Sequence, residues 1–240
     1  MTADATAVSP PGPVRVAFHF DVMCPWAYQT SLWIRAVRDL GLVDVRWRFF
    51  SLEEVNREEG RKHPWERDWS YGWGMLRVAA RLRREDGGPD AGGNDLVDRY
   101  YATAGRWLHG EGRKPHSPDA AREVLRELDL DPALVDDALA DPTTTDDVRA
   151  EHEAVLALGG FGVPTLVLPS GRALYGPVVV PAPTGDDAAA LWDLVVGWDR
   201  FPHLYEIKRP KSAADLHHIA TAFTPYLEGR DWRSVERPAP

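Results

Sequence analysis

Apolar and polar residues alternate over Val14 to Phe20, with Val14, Val16, Phe18 and Phe20 on one face, and again over Val43 to Phe50. Period-two alternation of this kind predicts half-buried strands. Between the two runs, Trp26 to Leu40 carries Leu32, Trp33, Val37 and Leu40 at helical spacing. Gly41 then supplies the residue on which such a helix ends, because glycine enters the left-handed region without a Cβ clash. A strand, a helix of this length and a second strand make a β-α-β unit, in which the strands run parallel.

From Ser51 the pattern changes. Leu76–Arg84, Asp95–Leu108, Pro118–Asp129, Pro132–Ala140 and Asp146–Leu158 all read as helices. Ser117-Pro118 and Asp131-Pro132 each place a capping side chain before a proline that suits the first helical position. Gly87 to Gly93 is a flexible connector within this block. Strand character returns at Thr165–Leu168 and Ala173–Tyr175, joined by a turn at Ser170-Gly171. Helices over Gly185–Trp198 and Ala213–Tyr226 complete the pattern. The expected division is a disordered tail (1–13), one α/β domain from two pieces (14–50 and 160–211), a helical insertion (51–159) and a C-terminal extension (212–240).

Composition adds limits. With 44% apolar residues and ten tryptophans in 240 residues, the chain can bury a sizeable core. Lys+Arg 28 against Asp+Glu 37 gives a net charge of -9, which opposes general nucleic-acid binding. Arg81-Leu82-Arg83-Arg84 reads as a solvated helix face. Met1 to Pro13 lacks the basic start and apolar centre of a signal peptide. No apolar run approaches the roughly 20 residues of a membrane span. A single cysteine excludes an intramolecular disulfide, and a cytoplasmic location is expected. His217-His218 with Asp215 lacks the companions of a metal site, so no metal is expected. Gly159-Gly160-Phe161-Gly162 is not a phosphate loop.

The strongest chemical signal is Asp21-Val22-Met23-Cys24-Pro25-Trp26. A cysteine at the start of a helix, directly after a strand, meets unpaired N–H groups and the positive end of the helix dipole. Both favour thiolate, so the expected pKa lies below the ordinary value of about 8.5. The competing reading is a small buried hydrophobe. Pro164, in Gly162-Val163-Pro164-Thr165, opens the third strand. His19 reads either as a neighbour tuning the thiol or as a strand histidine bonded to backbone. Trp65, Trp69 and Trp73 recur at i, i+4 and i+8, one stripe if their segment is helical.

The ordered set of Cys24-Pro25-Trp26 after Asp21, Trp73-Gly74, Gly162-Val163-Pro164-Thr165 and Tyr175-Gly176-Pro177-Val178 resembles the DsbA-like thioredoxin superfamily. Leu191-Trp192-Asp193 and Tyr205-Glu206-Ile207-Lys208-Arg209 extend the likeness, which is nearest to the mycothiol-dependent nitroreductase group. The resemblance implies an α/β thioredoxin-like fold of DsbA type with an inserted all-helical domain. It implies a cis Pro164 lying against a catalytic Cys24. It also implies a small thiol, mycothiol or glutathione, held by Trp26, Asn56, His109, Val163 and Pro164, with Trp26, Trp73 and His109 facing a small aromatic or electrophilic substrate. No flavin motif is present. Ala27 departs from the Cys-Pro-Trp-Cys form, so a mixed disulfide on Cys24 needs an outside thiol for release. Kappa-class glutathione transferases and 2-hydroxychromene-2-carboxylate isomerases have a similar layout, and a non-catalytic, thiol-capped stress protein is a third reading. A homodimer through the insert or the tail is compatible with the pattern.

Overall fold

The computed structural model describes residues 12–88 and 94–229. Most of the expected N-terminal tail, the centre of the glycine-rich connector and the end of the C-terminal extension lie outside the described residues. β1 (Val14–Phe20), α1 (Pro25–Asp39) and β2 (Val43–Phe49) form the expected unit. The strands pair in parallel from Val14 opposite Val43 to Phe20 opposite Phe49. That register puts Val16, Phe18 and Phe20 on the same face as Val45, Trp47 and Phe49, and all six are buried. A one-residue slip would turn every one of them away from the core. On α1 the buried stripe includes Trp33, Ile34 and Val37; Leu32 is exposed off that stripe, and Leu40, in line with it, is exposed because it is the C-cap past the helix end.

β3 (Thr165–Val167) lies antiparallel on the other side of β1, with His19 opposite Thr165 and Ala17 opposite Val167. β4 (Ala173–Tyr175) pairs antiparallel with β3 through a turn in which Gly171 has φ +82°. The strand order is therefore β2-β1-β3-β4. Between β2 and β3 the described residues carry helices alone: α2 (Leu52–Val55), a 3-10 turn (Pro64–Glu66), α3 (Tyr71–Glu85), α4 (Asp95–Gly105), a π-type turn (Arg106–Gly110), α5 (Pro118–Glu127), α6 (Leu134–Ala140) and α7 (Thr143–Ala157). After the sheet come α8 (Gly185–Trp198), α9 (Ala213–Ala222) and α10 (Thr224–Gly229).

Several boundaries differ from the pattern, each for a physical reason. α3 starts at Tyr71, five residues ahead of the expected Leu76. Gly72 and Gly74 disfavour helix locally, but a Cβ on Gly74 would lie 2.7 Å from the Trp69 ring. The Glu53 carboxylate also caps the helix by accepting from the N–H groups of Gly72 and Trp73, at 3.0 and 2.9 Å. Trp65, Trp69 and Trp73 consequently do not share one helix: they sit in the 3-10 turn, in a loop and in α3. The single helix expected over Ala213–Tyr226 is two, because Pro225 cannot continue a helix and starts a new one. α4 loosens after Gly105 into the π-type turn, where the Glu111 N–H donates to the Arg106 carbonyl at 3.0 Å.

Sheet and helices share one apolar core. Phe20 stacks on Tyr101 of α4 at 4.1 Å, and Trp47, Trp73, Leu76 and Leu125 belong to the same cluster. Glu151 of α7 ties three elements together. It accepts from Arg48 (2.8 Å), from the buried Arg83 (2.6 Å) and from the Phe49 N–H (2.8 Å). Arg83 also donates to the Trp47 carbonyl at 2.8 Å and lies 4.0 Å from the Phe49 ring centroid. Removing one partner of a buried pair strands the other charge. Glu151→Ala should therefore lower the unfolding free energy by about 3–5 kcal/mol in urea titrations. Glu153→Ala, at an exposed position, should stay within about 0.5 kcal/mol of wild type.

Candidate active site around Cys24

β1 delivers the chain to a tight turn at Asp21-Val22-Met23, closed by the Cys24 N–H donating to the Asp21 carbonyl at 3.0 Å. Cys24 is the N-cap of α1, and Pro25 follows at the first helical position, where no N–H is needed. The Ala27 N–H donates to the Cys24 sulfur at 3.4 Å. The sulfur in turn donates its hydrogen to the Val163 carbonyl, also at 3.4 Å and 139 residues away. The Val163–Pro164 peptide is cis, as are Gly176–Pro177 and Val180–Pro181. The β1–β3 pairing holds this approach in place, because His19 opposite Thr165 sets the end of one strand beside the start of the other.

The environment of the sulfur reverses one expectation. Cys24 is 6% exposed and packs with Ala27, Phe50, Val155 and Val163. Burial pushes its pKa up to about 12, with the Asp21 charge adding to the rise and the Ala27 and Trp26 amides opposing it. The helix N-terminus does supply its hydrogen bond, but loss of hydration outweighs it. The resting group is a neutral thiol.

Asp21 is the residue that the pattern undervalued. Fully buried, it accepts from the Met23 N–H at 2.9 Å and, across the sheet end, from the Leu52 N–H at 2.7 Å. The carboxylate therefore fixes the Cys24 turn to the first residue of α2. The neighbouring Glu53 carries the connection onward to α3. Burial raises the Asp21 pKa to about 7 against the lowering effect of its two amide donors. Its sequence signal was an acid closing an apolar strand immediately before the Cys-Pro step.

The other expected residues fall in different places. Ala27 is buried beside the sulfur, where the departure from Cys-Pro-Trp-Cys leaves a methyl group. Trp26 is half-buried, and its ring meets Phe223 edge-on at 4.8 Å. Val163 and Pro164 face the thiol through the Val163 carbonyl. His109, carried inward by the π-type turn, donates from Nε2 to the Val22 carbonyl at 2.8 Å and lies between Tyr28 and Tyr226. Burial lowers its pKa to about 4, so it is neutral, and its buried Nδ1 has no hydrogen-bond partner among the described residues. It reaches the Cys24 turn rather than the sulfur. Asn56 is exposed at the end of α2 and donates to the Leu52 carbonyl at 2.8 Å. Trp73 is 1% exposed within the main core, so it presents no face to a cleft. His19 bonds weakly to the Phe49 carbonyl at 3.5 Å, the strand-histidine arrangement. Phe223 and Tyr226 cover Trp26 and His109 from the far end of the chain, and no local motif signals that contact. Among the described residues, no group of three His, Cys, Asp or Glu side chains is placed to hold a metal, and no helix is long and apolar enough to cross a membrane.

Two outcomes follow from the burial of these groups. The rate of Cys24 alkylation by iodoacetamide should climb about tenfold per pH unit from pH 7 to pH 10 without levelling off; a plateau below pH 8 would mean an activated thiolate. Asp21→Ala leaves two buried N–H groups unpaired and should cost about 2–4 kcal/mol of stability. Because the folded state holds the Asp21 proton more tightly than the unfolded chain, wild-type stability gains from this group as pH falls from about 7 to about 4. The stability gap between wild type and Asp21→Ala should widen over that interval in urea titrations.

Residues 23–209 match the family described as Rv2466c-like, Mycothiol-dependent nitroreductase Rv2466c. The uncharacterized protein Rv2286c of Mycobacterium tuberculosis (strain H37Rv) is 53% identical over 222 residues, which cover 92% of this chain and 93% of that protein. A probable DsbA oxidoreductase, SCO1869 from Streptomyces coelicolor, superposes with a TM-score of 0.53 at 19% identity, covering 83% of this chain and 93% of that one. A 2-hydroxychromene-2-carboxylate isomerase gives a TM-score of 0.53 at 16% identity, covering 78% and 95%. At those identities the solved structures establish the fold, which is thioredoxin-like, of DsbA type, with an all-helical insertion. The strand-to-helix cysteine, the Val163 carbonyl on its sulfur and the match over residues 23–209 agree, and the chain belongs to the Rv2466c-like family of mycothiol-dependent nitroreductases.

Proposed function

We propose that this protein is a monothiol oxidoreductase in which Cys24 works with a low-molecular-weight thiol, of the mycothiol kind, to reduce a small electrophilic substrate. The observation that carries this reading is the Cys24 sulfur against the Val163 carbonyl at 3.4 Å, with Ala27 where a second thiol would stand. In the two-electron reduction of a substrate X to XH2, Cys24 supplies one thiol and the small thiol the other. An S–S bond forms between them while X takes up two electrons and two protons. Exchange with a second external thiol then breaks that bond, returns Cys24 to the thiol and leaves a symmetrical disulfide. The backbone at Val163 and Pro164, with Trp26, Asn56 and His109, would hold the small thiol. Mycothiol fits the family, and glutathione offers the same sulfur chemistry. A single cysteine suits a reducing compartment, the cytoplasm.

One observation favours a second reading. A neutral S–H that donates a hydrogen bond can stabilise an external thiolate without itself being oxidised, which is transferase or isomerase chemistry. Counting thiols after turnover separates the two: the oxidoreductase consumes two external thiols per substrate reduced, the transferase forms no disulfide.

After exposure to mycothiol disulfide, intact-mass spectrometry should show one thiol adduct per chain, absent in Cys24→Ser and reversed by free thiol. In Ala27→Cys the adduct should give way to a chain two hydrogens lighter, as the new thiol displaces it. Full thiol-dependent turnover by Cys24→Ser would remove the proposal.

A further inference from the structure

The aromatic side chains expected to face a substrate are mostly occupied. Trp73 lies in the core, and Trp26 is engaged with Phe223. Another aromatic surface stands open to solvent on the two segments that flank the cis-proline. Phe161, on the loop leading to Val163, is 65% exposed, and Tyr175, at the end of β4, is 47% exposed. Their ring centroids lie 4.8 Å apart, with the planes tilted by 31°. Large apolar side chains held this far into solvent, and paired, form the kind of patch that marks a binding surface.

The scaffold under the pair is fixed to the Cys24 site at several points. Tyr175 pairs with Thr165 across the sheet, next to Pro164. The Gly176 N–H donates to the Pro164 carbonyl at 2.9 Å, and Thr165 Oγ1 donates to the Gly162 carbonyl at 2.7 Å. Thr30 of α1, the helix that begins at Cys24, donates to the Pro177 carbonyl at 2.7 Å. The Tyr175 ring lies over Gly162, where an added Cβ would come within 3.4 Å of it. The two rings are thus carried by the loop that supplies the Val163 carbonyl and by the strand hydrogen-bonded beside it.

We propose that Phe161 and Tyr175 form a platform on which a flat aromatic substrate lies with its reacting atom toward Cys24. The size of the surface selects this occupant. The exposed faces of the pair amount to roughly 200 Å², about one aromatic side chain's worth. Adding Leu158 and Val178, exposed on the same two chain segments, brings the total to roughly 400 Å², well short of the roughly 800 Å² per partner of a stable protein interface. A single or fused ring lies against the outward, solvent-exposed side of the pair, in the offset geometry such rings prefer. The assignment rests on Cys24 being the reactive thiol, and the test keeps the two apart.

The probes are 2,2′-dithiodipyridine, whose rings are flat and aromatic, and hydroxyethyl disulfide, which is aliphatic. With either, the Cys24 sulfur attacks one sulfur of the probe, the probe's S–S bond breaks, and the Cys24 proton leaves with the departing thiol or thione. Second-order rate constants for wild type, the Phe161→Ala/Tyr175→Ala double variant and Tyr175→Phe are read by released thione and by intact mass. The platform predicts about a tenfold loss with the aromatic probe in the double variant, less than twofold with the aliphatic probe, and near wild-type rates in Tyr175→Phe, which keeps the ring. Equal loss with both probes, or none with either, would overturn the platform while leaving Cys24 reactive. Failure of both probes to modify wild-type Cys24 would overturn the reactive-thiol reading, and the platform with it. A dimer that becomes a monomer in the double variant, by light scattering, would make the pair a contact between copies and likewise overturn it.

Discussion

The register between β1 and β3 is the constraint on which the centre of this molecule depends. Only three residue pairs define it, Ala17 with Val167, Phe18 with Leu166 and His19 with Thr165. Those pairs bring the exit of β1 to the entrance of β3, and hence Cys24 to the carbonyl of Val163 across 139 residues of chain. A slip of one residue would expose Phe18 and Leu166, both fully buried, and would move the carbonyl off the sulfur. The insertion backs this part of the sheet, since Tyr101 of α4 stacks on Phe20 of β1 and packs edge-on against Trp47 of β2.

Around that contact the protein opposes two electrostatic tendencies. The N-terminus of α1 offers the sulfur an N–H group, which favours charge. Burial and the neighbouring Asp21 disfavour it, and they win. Asp21 is itself buried at some cost, yet it supplies the fixed point that holds the Cys24 turn against α2, while Glu53 repeats the device one residue later against α3. The result is a neutral thiol in a turn held by hydrogen bonds on both sides.

The chain beyond the sheet contributes by coverage. Phe223 and Tyr226, at the junction and within the first turn of the last helix pair, lie on Trp26 and His109. The backbone fits closely there: an added Cβ on Gly112 would lie 3.1 Å from the Pro225 carbonyl oxygen. The aromatic residue of the Cys-Pro-Trp step and the inward histidine therefore share a cover, whereas Phe161 and Tyr175 on the cis-proline side stay open to solvent.

Much of this was legible along the chain, because it rests on short-range physics. The alternation at Val14–Phe20 and Val43–Phe49, the Ser117-Pro118 start of α5, the Ser170-Gly171 turn and the strand–Cys-Pro–helix step each reflect a local preference of backbone or side chain, and each is present. The loss of a second thiol at Ala27 was equally plain. What the sequence by itself determined is the fold class and the identity of the one thiol. Tertiary structure decided the rest. It started α3 at Tyr71 through a Glu53 cap that lies 19 residues away from Gly72, and it separated the Trp65, Trp69 and Trp73 stripe. It buried Trp73 and turned His109 toward Val22. It also raised the Cys24 pKa, because desolvation is set by which side chains surround the sulfur, and those arrive from β2, α7 and the cis-proline loop. Local pattern can say which groups exist and what conformation their backbone prefers, but hydration and charge at a site depend on neighbours that only the folded chain brings together.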